Sequence, residues 1–327
     1  MTRRNPPGRS VLRGIFLKLR QAIDRSKEGL ALTRVQPHSN RHIMKVAILG
    51  LGIIGAVWAR NLQEDGVEVR PWNRTKRGFP GETETASEAA DGADFVVIVV
   101  ADPPAVQGVL DEIQPVLRAG QTVLQASTIS AEWTRRFAAQ VQAAGAVFLE
   151  APFTGSKPAA EKRQTVFYIG GDPEVFQAAR PLLDHISRAA LYIGPIGSAS
   201  SLKLAMNMNL AGMAQSLSES LMLTRAEGIS DDVYFGALRM NVGWSGLAEL
   251  KEPKLRDAEY APQFSIKHMG KDLRLALETS AAPGSSSPLD LPQLKRIVAL
   301  YQEAIDRGWG EDDFISLLRL VESKKQS

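Results

Sequence analysis

Two sets of residues in this 327-residue chain have the types and spacing to do chemistry. The first is Gly50-Leu51-Gly52-Ile53-Ile54-Gly55, which follows directly on the apolar run Val46-Ala47-Ile48-Leu49. In a G-x-G-x-x-G turn the first glycine permits the tight bend and the second lets backbone N–H groups approach a pyrophosphate. The third lets the following helix pack close to the strand. That helix, expected over about Ile54 to Glu64, aims its positive end at the anion. Glycine-rich turns are common, and a turn without function is the competing explanation. The preceding strand, the helix and a second strand over Val67 to Pro71 favour a dinucleotide site. The second set is Lys203 and Asn207, four residues apart and therefore neighbours on one face of a long helix expected from Ser198 to about Glu227. Ala199, Ser200, Met206, Asn207 and Leu210 around the lysine are small, apolar or uncharged. Loss of hydration there disfavours the ammonium, lowers its pKa and makes the group usable as an acid/base. A solvated surface lysine is the alternative, and physics alone leaves the two open.

Other positions gain meaning from the elements that must carry them. After the second strand a site for NAD usually places Asp or Glu to hold the ribose 2′-hydroxyl. This chain has Asn73, Arg74 and Thr75 there, with Lys76 and Arg77 behind. A carboxylate would repel a 2′-phosphate, whereas a guanidinium binds it through paired hydrogen bonds. NADP(H) is the expected cofactor and NAD the weaker alternative, against a merely solvated basic turn. The run Phe95 to Val100 reads as a parallel strand covered on both faces. It ends in Ala101-Asp102-Pro103-Pro104, where Asp102 can cap a helix that Pro103 starts. Thr122 to Gln125 is the next strand and leads into Ser127 and Thr128. Ligands of doubly wound sheets sit beyond the carboxyl ends of strands, which puts Ala101, Asp102, Ser127 and Thr128 near the cofactor. Ser127 and Thr128 could equally cap the helix that contains Trp133. A strand over Ala146 to Glu150 precedes Ala151-Pro152-Phe153-Thr154-Gly155-Ser156-Lys157, whose hydroxyls and backbone N–H groups suit a carboxylate. Thr165 to Ile169 and Ala190 to Ile193 supply two more strands.

From Gly194 onward strand patterns stop and helical ones follow. The expected class is α/β: a Rossmann-type doubly wound sheet over residues 44–193, then an all-helical substrate and dimerisation domain over 194–327. Residues 1–43 form a basic leader with ten Lys/Arg and two Asp/Glu, a net of +8, which leaves 29 basic and 34 acidic residues and a net of −5 in the remainder. A mildly acidic body gives no reason to expect nucleic acid as a partner. The leader admits two explanations. Val11, Leu12, Ile15, Phe16, Leu19 and Ile23 could line one face of an Arg-studded targeting or membrane-surface helix. The favoured expectation is that Met44 is the working start and that the leader is disordered or not native. The chain has no cysteine, which removes thiolate metal sites and cysteine nucleophiles and fits a reducing compartment. Cytoplasm is expected, with an organelle matrix as the alternative if the leader is a transit peptide. No apolar run reaches the length of a membrane span, and neither a membrane nor a metal ion is an expected partner.

Taken together, the motifs resemble those of the β-hydroxyacid dehydrogenase family over essentially Met44 to the C-terminus. Gly50, Gly52 and Gly55 match its glycine turn, and Glu150-Ala151-Pro152-Phe153-Thr154-Gly155-Ser156 its substrate loop. Gly194, Gly197, Lys203 and Asn207 match its G-x-x-G and K-x-x-x-N element, and Lys271-Asp272-Leu273 its later K-D-L element. The resemblance implies that Lys203 is the acid/base with Asn207 supporting it. It implies that Ser127, Thr154 and Gly155 hold a substrate carboxylate, that Thr128 and Lys271 contact the cofactor near the nicotinamide, and that Asp272 positions Lys271. On residue type alone Lys271 could simply form a salt bridge, and Phe264 could wall the site or pack in the core. Met240, Trp244 and Leu247 have the same two fates. Thr154 stands for the usual Ser, Phe153 for Val, which should narrow the pocket, and Glu150 for Asp; Ser156-Lys157 replaces a glycine-rich continuation. The loop is most similar to the glyoxylate/succinic semialdehyde reductase branch. The expected activity is NADPH-dependent reduction of a small aldehyde acid by a homodimer or tetramer. Oxidation of 3-hydroxyisobutyrate or a related hydroxy acid is the alternative, and a cofactor-binding scaffold without turnover a more distant one. Imine reduction is disfavoured, because imine reductases of similar fold generally lack the lysine.

Overall fold

The computed structural model describes residues 43–281 and 289–324. The leader, with its amphipathic pattern, lies outside the described residues. Within 43–281 the chain first alternates strands and helices: β1 (Lys45–Leu49), α1 (Gly55–Glu64), β2 (Glu68–Trp72), α2 (Ala86–Ala90), β3 (Phe95–Ile98), α3 (Pro103–Ile113), β4 (Thr122–Gln125), α4 (Ala131–Ala143) and β5 (Val147–Glu150). There follow β6 (Phe153–Thr154), α5 (Lys157–Glu161), β7 (Val166–Gly170), α6 (Pro173–Ile186) and β8 (Ala189–Gly194). The strand order is β2-β1-β3-β4-β5-β7-β6, with β8 on the other edge of β7. Strands β1 to β5 pair in parallel and β7 returns antiparallel to β5.

The near-continuous apolar strands are explained by burial on both faces. Alternate residues of each strand enter opposite cores: Val46, Ile48, Val97, Leu124 and Leu149 join the one closed by α1 and α6. Ala47, Leu49, Val96, Ile98, Val123 and Phe148 join the one closed by α2, α3 and α4. The result is the expected doubly wound sheet. The carboxyl ends of β1, β3, β4 and β5 open on one edge, where the turn after each strand carries the candidate residues.

Helix α7 (Ser198–Ala226) then runs 29 residues. It is followed by α8 (Asp231–Arg239), α9 (Gly246–Asp257), α10 (Ile266–Ala281), α11 (Pro292–Asp306), a short 3-10 turn over Phe314–Leu317 and α12 (Leu318–Lys324). Ala211, Ala214 and Leu221 of α7, Leu273 of α10, Ile297 and Tyr301 of α11, and Ile315 pack as one separate apolar core. Small residues on α7 let α10 and α11 approach it closely, which is how Lys203 and Asn207 come to face α10.

Candidate active site

The turn after β1 is closed by backbone and side chain together. Gly50 has φ +116° and a Cβ there would lie 2.2 Å from the carbonyl oxygen of Val99, so only glycine fits. Its N–H donates to the Trp72 carbonyl at 2.8 Å. Asn73 completes the brace: its Oδ1 accepts from the Leu51 N–H at 2.9 Å while its Nδ2 donates to the Thr75 carbonyl at 2.7 Å. A Cβ on Gly52 would meet nothing within 4 Å, and Ile53 beside it is 59% exposed. Among the described residues the backbone N–H groups of Gly52, Ile53 and Ile54 donate to no protein group, and no side chain caps α1. Free N–H groups, open space and a helix N-terminus fit a pyrophosphate. Arg74 is exposed and, among the described residues, makes no hydrogen bond or ion pair. Lys76 is already engaged by the Thr83 carbonyl at 2.7 Å and by Glu84 at 3.0 Å. The Arg77 guanidinium is likewise exposed and without a side-chain partner among the described residues, so two unengaged guanidinium groups follow β2.

At the ends of β3 and β4 the side chains are committed in ways that spacing alone left open. Asp102 caps α3, its Oδ1 accepting from the Ala105 N–H at 2.9 Å, while Ala101 before it is exposed. Neither Ser127 nor Thr128 caps α4; that role falls to Ser130, which accepts from the Trp133 N–H at 3.3 Å. The Ser127 hydroxyl accepts from the Val100 N–H at 2.8 Å, and the Gln125 side chain brackets the Ser127 backbone on both sides. A hydroxyl fixed in this way as acceptor keeps its own proton to donate.

A polar chain that includes Lys203 joins α7 and α10 to the end of β4. The Lys203 ammonium donates to Asn207 Oδ1 at 3.0 Å, and Asn207 Nδ2 donates to Asp272 Oδ2 at 2.6 Å. The other oxygen of Asp272 lies 2.8 Å from the Lys271 ammonium, which in turn donates to the Thr128 carbonyl at 2.6 Å. Asn207 and Asp272 are buried, and Lys203 and Lys271 half-buried. Burial is the main cause that lowers the Lys203 pKa to about 8; Asp272 opposes it and the Lys271 charge adds to it. A lysine so poised is a usable proton donor near neutral pH. His268, one turn before Lys271 on α10, is also lowered, first by burial and then by the Lys271 charge. Its ring stacks on Phe264, with ring centres 6.3 Å apart.

The loop expected to hold substrate departs from expectation at one residue. Phe153 does not narrow a pocket: its ring packs edge-on against Trp58 of α1 at 4.8 Å and lies 6.1 Å from Phe167. Strand alternation is the reason, since β6 pairs with β7 and turns residue 153 toward the sheet's own core. Thr154 is half-buried and Gly155 exposed with φ +134°, and among the described residues the Thr154 hydroxyl has no hydrogen-bond partner. Neither residue contacts Lys203 through a hydrogen bond. Phe264 joins the helical core against Phe314. Leu247 is buried in that core and Trp244 packs beneath Arg239, while Met240 stands 92% exposed. Two residues that spacing did not single out matter here. Gln125 locks Ser127 in place, and Glu150, at the end of β5, reaches across to α7. A buried polar residue closing an otherwise apolar strand was the available signal for both.

Residues 45–194 match a family model described as the NAD binding domain of 6-phosphogluconate dehydrogenase. Residues 197–321 match one described as NAD-binding of NADP-dependent 3-hydroxyisobutyrate dehydrogenase. Glyoxylate/succinic semialdehyde reductase 1 of Arabidopsis thaliana is 28% identical over 294 residues, covering 86% of this chain and 100% of that protein. The uncharacterized oxidoreductase YfjR of Bacillus subtilis is 30% identical over 297 residues, 85% of this chain and 100% of its own. Among solved structures, 3-hydroxyisobutyrate dehydrogenase of Mycobacterium tuberculosis with L-serine superposes with a TM-score of 0.78 at 25% identity, covering 85% of this chain and 99% of that one.

Proposed function

Because this chain belongs to the β-hydroxyacid dehydrogenase family and is an NAD(P)-dependent oxidoreductase acting on a hydroxyl group, we propose that it reduces a small aldehyde acid, glyoxylate or succinic semialdehyde, with Lys203 as the acid. The observation that carries this reading is the chain Lys203–Asn207–Asp272–Lys271–Thr128, which brings a lysine of lowered pKa to the edge where β4 ends. Bound NADPH supplies the hydride that reaches the carbonyl carbon. The Lys203 ammonium stabilises the developing alkoxide and donates its proton to that oxygen, and Asn207 aims the ammonium by accepting one of its hydrogens. The Ser127 hydroxyl, the Thr154 hydroxyl and the Gly155 N–H hold the substrate carboxylate and fix its orientation. Gly50, Leu51, Gly52, Ile53, Ile54 and Gly55 hold the pyrophosphate; Asn73, Arg74 and Thr75 hold the adenosine end. Thr128 and Lys271 line the nicotinamide side, and Ala101 and Asp102 lie near the cofactor at the end of β3.

The unengaged Arg74 supports the phosphorylated cofactor. Arg74→Ala is expected to raise KM for NADPH roughly tenfold to a hundredfold while leaving that for NADH within about twofold. The relative from Arabidopsis, matched over its whole length, supports the aldehyde-acid substrate. A groove of about 770 Å³ beside α7, lined by apolar residues such as Met208, Met213 and Leu238 together with Asn209, Ser216 and Ser220, supports a second copy of the chain as partner. Initial rates with glyoxylate, succinic semialdehyde and 3-hydroxyisobutyrate, each with both cofactors, test the proposal. Faster NADPH oxidation with either aldehyde is expected. Faster NAD⁺ reduction with the hydroxy acid would overturn both the cofactor and the substrate assignment.

A further inference from the structure

Glu150 is fully buried at the end of β5, yet the hydrogen bonds its carboxylate accepts come from the start of α7. Oε1 accepts from the N–H of Gly197 at 2.6 Å and of Ala199 at 3.1 Å; Oε2 accepts from the N–H of Ser200 at 3.0 Å and from its hydroxyl at 2.6 Å. That hydroxyl also lies 2.8 Å from the Thr134 hydroxyl on α4. The residue before α7 is Gly197, with φ +100° and no side chain to cap the helix. A carboxylate from the sheet therefore satisfies the orphan N–H groups of the longest helix and neutralises its positive end. Room for it exists because the residue opposite on β7 is Gly170, where a Cβ would lie 2.0 Å from Oε1.

The placement of this joint links it to chemistry. Four residues after Glu150 comes Thr154 of the substrate loop, and within two turns of the clamped helix start comes Lys203. A fully satisfied, desolvated carboxylate is a stiff connection, since each of its bonds is strengthened by the low local dielectric. We propose that Glu150 is a positioning residue that sets the register between the loop holding the substrate carboxylate and the helix carrying Lys203. The assignment rests on Lys203 being the acid. The charged groups around the pair are Lys271 and Asp272 of α10, which flank Lys203, and Arg135 of α4, whose guanidinium lies beside Gly197.

Glu150→Gln keeps the shape but removes the charge and turns an amide donor toward donors. It is expected to cut kcat roughly tenfold to a hundredfold, with NADPH binding, read by its fluorescence, within about twofold of wild type. With the helix start no longer neutralised, the Lys203 ammonium is less favoured, so the high-pH limb of the reduction profile should move down by about half a pH unit. Ser200→Ala, which removes a single neutral donor and little volume but keeps the carboxylate, should lower kcat a few-fold and leave the limb in place. Gly170→Ala, which drives a methyl group onto Oε1, should reproduce the kcat loss. If Glu150→Gln and Ser200→Ala lower only the melting temperature and leave kcat where it is, and Glu150→Gln leaves the limb in place too, Glu150 is a structural cap and the proposal is wrong. If Glu150→Gln does not fold, the kcat of Ser200→Ala decides. Lys203→Ala separates the two layers: wild-type turnover in that variant defeats the acid assignment itself, whatever Glu150→Gln does.

Discussion

Two lysines of the helical half are both buried enough to be pushed below the ordinary lysine pKa, and they are handled in opposite ways. Lys251 on α9 is 1% exposed and sits directly on Asp313, donating to its two oxygens at 2.8 and 2.9 Å and to Gln263 at 3.0 Å, with the Phe314 ring 4.6 Å away. Every hydrogen of that ammonium is spoken for, and the Asp313 charge opposes the lowering that burial causes. Lys203 faces a carboxylate too, but the neutral amide of Asn207 stands between them. The interposed amide orients the ammonium without a direct ion pair to hold its proton. On the proposed reading, a buried lysine serves as a structural pin or as a proton donor according to whether the counter-charge touches it.

The contrast is broken most forcefully by deleting each lysine. Lys203→Ala is expected to cost about a hundredfold to ten-thousandfold in turnover while NADPH still binds. Lys251→Ala leaves Asp313 buried and unpaired and is expected to cost about 3–5 kcal/mol in urea unfolding, with near-normal turnover in the protein that remains folded. Loss of turnover without loss of fold in the second variant would erase the distinction. Next in size, Asn207→Ala should lower kcat roughly tenfold to a hundredfold by freeing the ammonium from its orientation. A smaller effect compares the two carboxylates. Asp272→Asn removes the charge that favours the Lys203 ammonium, so the limb of the reduction profile should fall by less than about one pH unit. Asp313→Asn should leave that limb in place and lower stability instead.

A separate effect is on stability against pH. Between about 8 and the ordinary lysine value of 10.5 the unfolded chain holds a proton at Lys203 that the folded protein has released. The penalty for burying this lysine is therefore full below pH 8 and relieved as pH rises through that window. Lys203→Met should remove that rise from a plot of unfolding free energy against pH.

What spacing revealed and what it hid divide by the range of the interactions. The glycine turn, the strands and α7 follow from local pattern, and Gly50, Asn73 and Ser127 occupy places their neighbours in sequence dictate. Lys203 and Asn207 are one helical turn apart, so their pairing was legible; the resemblance set Asp272 beside Lys271 only, and the bond from Asn207 to Asp272 was not foreseen, because it joins residues 65 apart. The Lys271 bond to Thr128 spans 143 residues. Phe153 misled for the same reason. Its loop neighbours suggest a pocket wall, whereas Trp58, nearly a hundred residues earlier, supplies the surface the ring covers. Glu150 read as a variant of the loop, and its partners at the start of α7 could not be inferred from position.

The central claim is that Lys203 gives its proton in reduction and takes one in oxidation. It is tested most directly by measuring kcat/KM against pH in both directions on wild-type protein. The account predicts a falling limb near pH 8 for aldehyde reduction, where the ammonium is lost, and a rising limb near the same pH for oxidation of the hydroxy acid, where the free amine is formed. Limbs near pH 10, or limbs that run the same way in both directions, would contradict it.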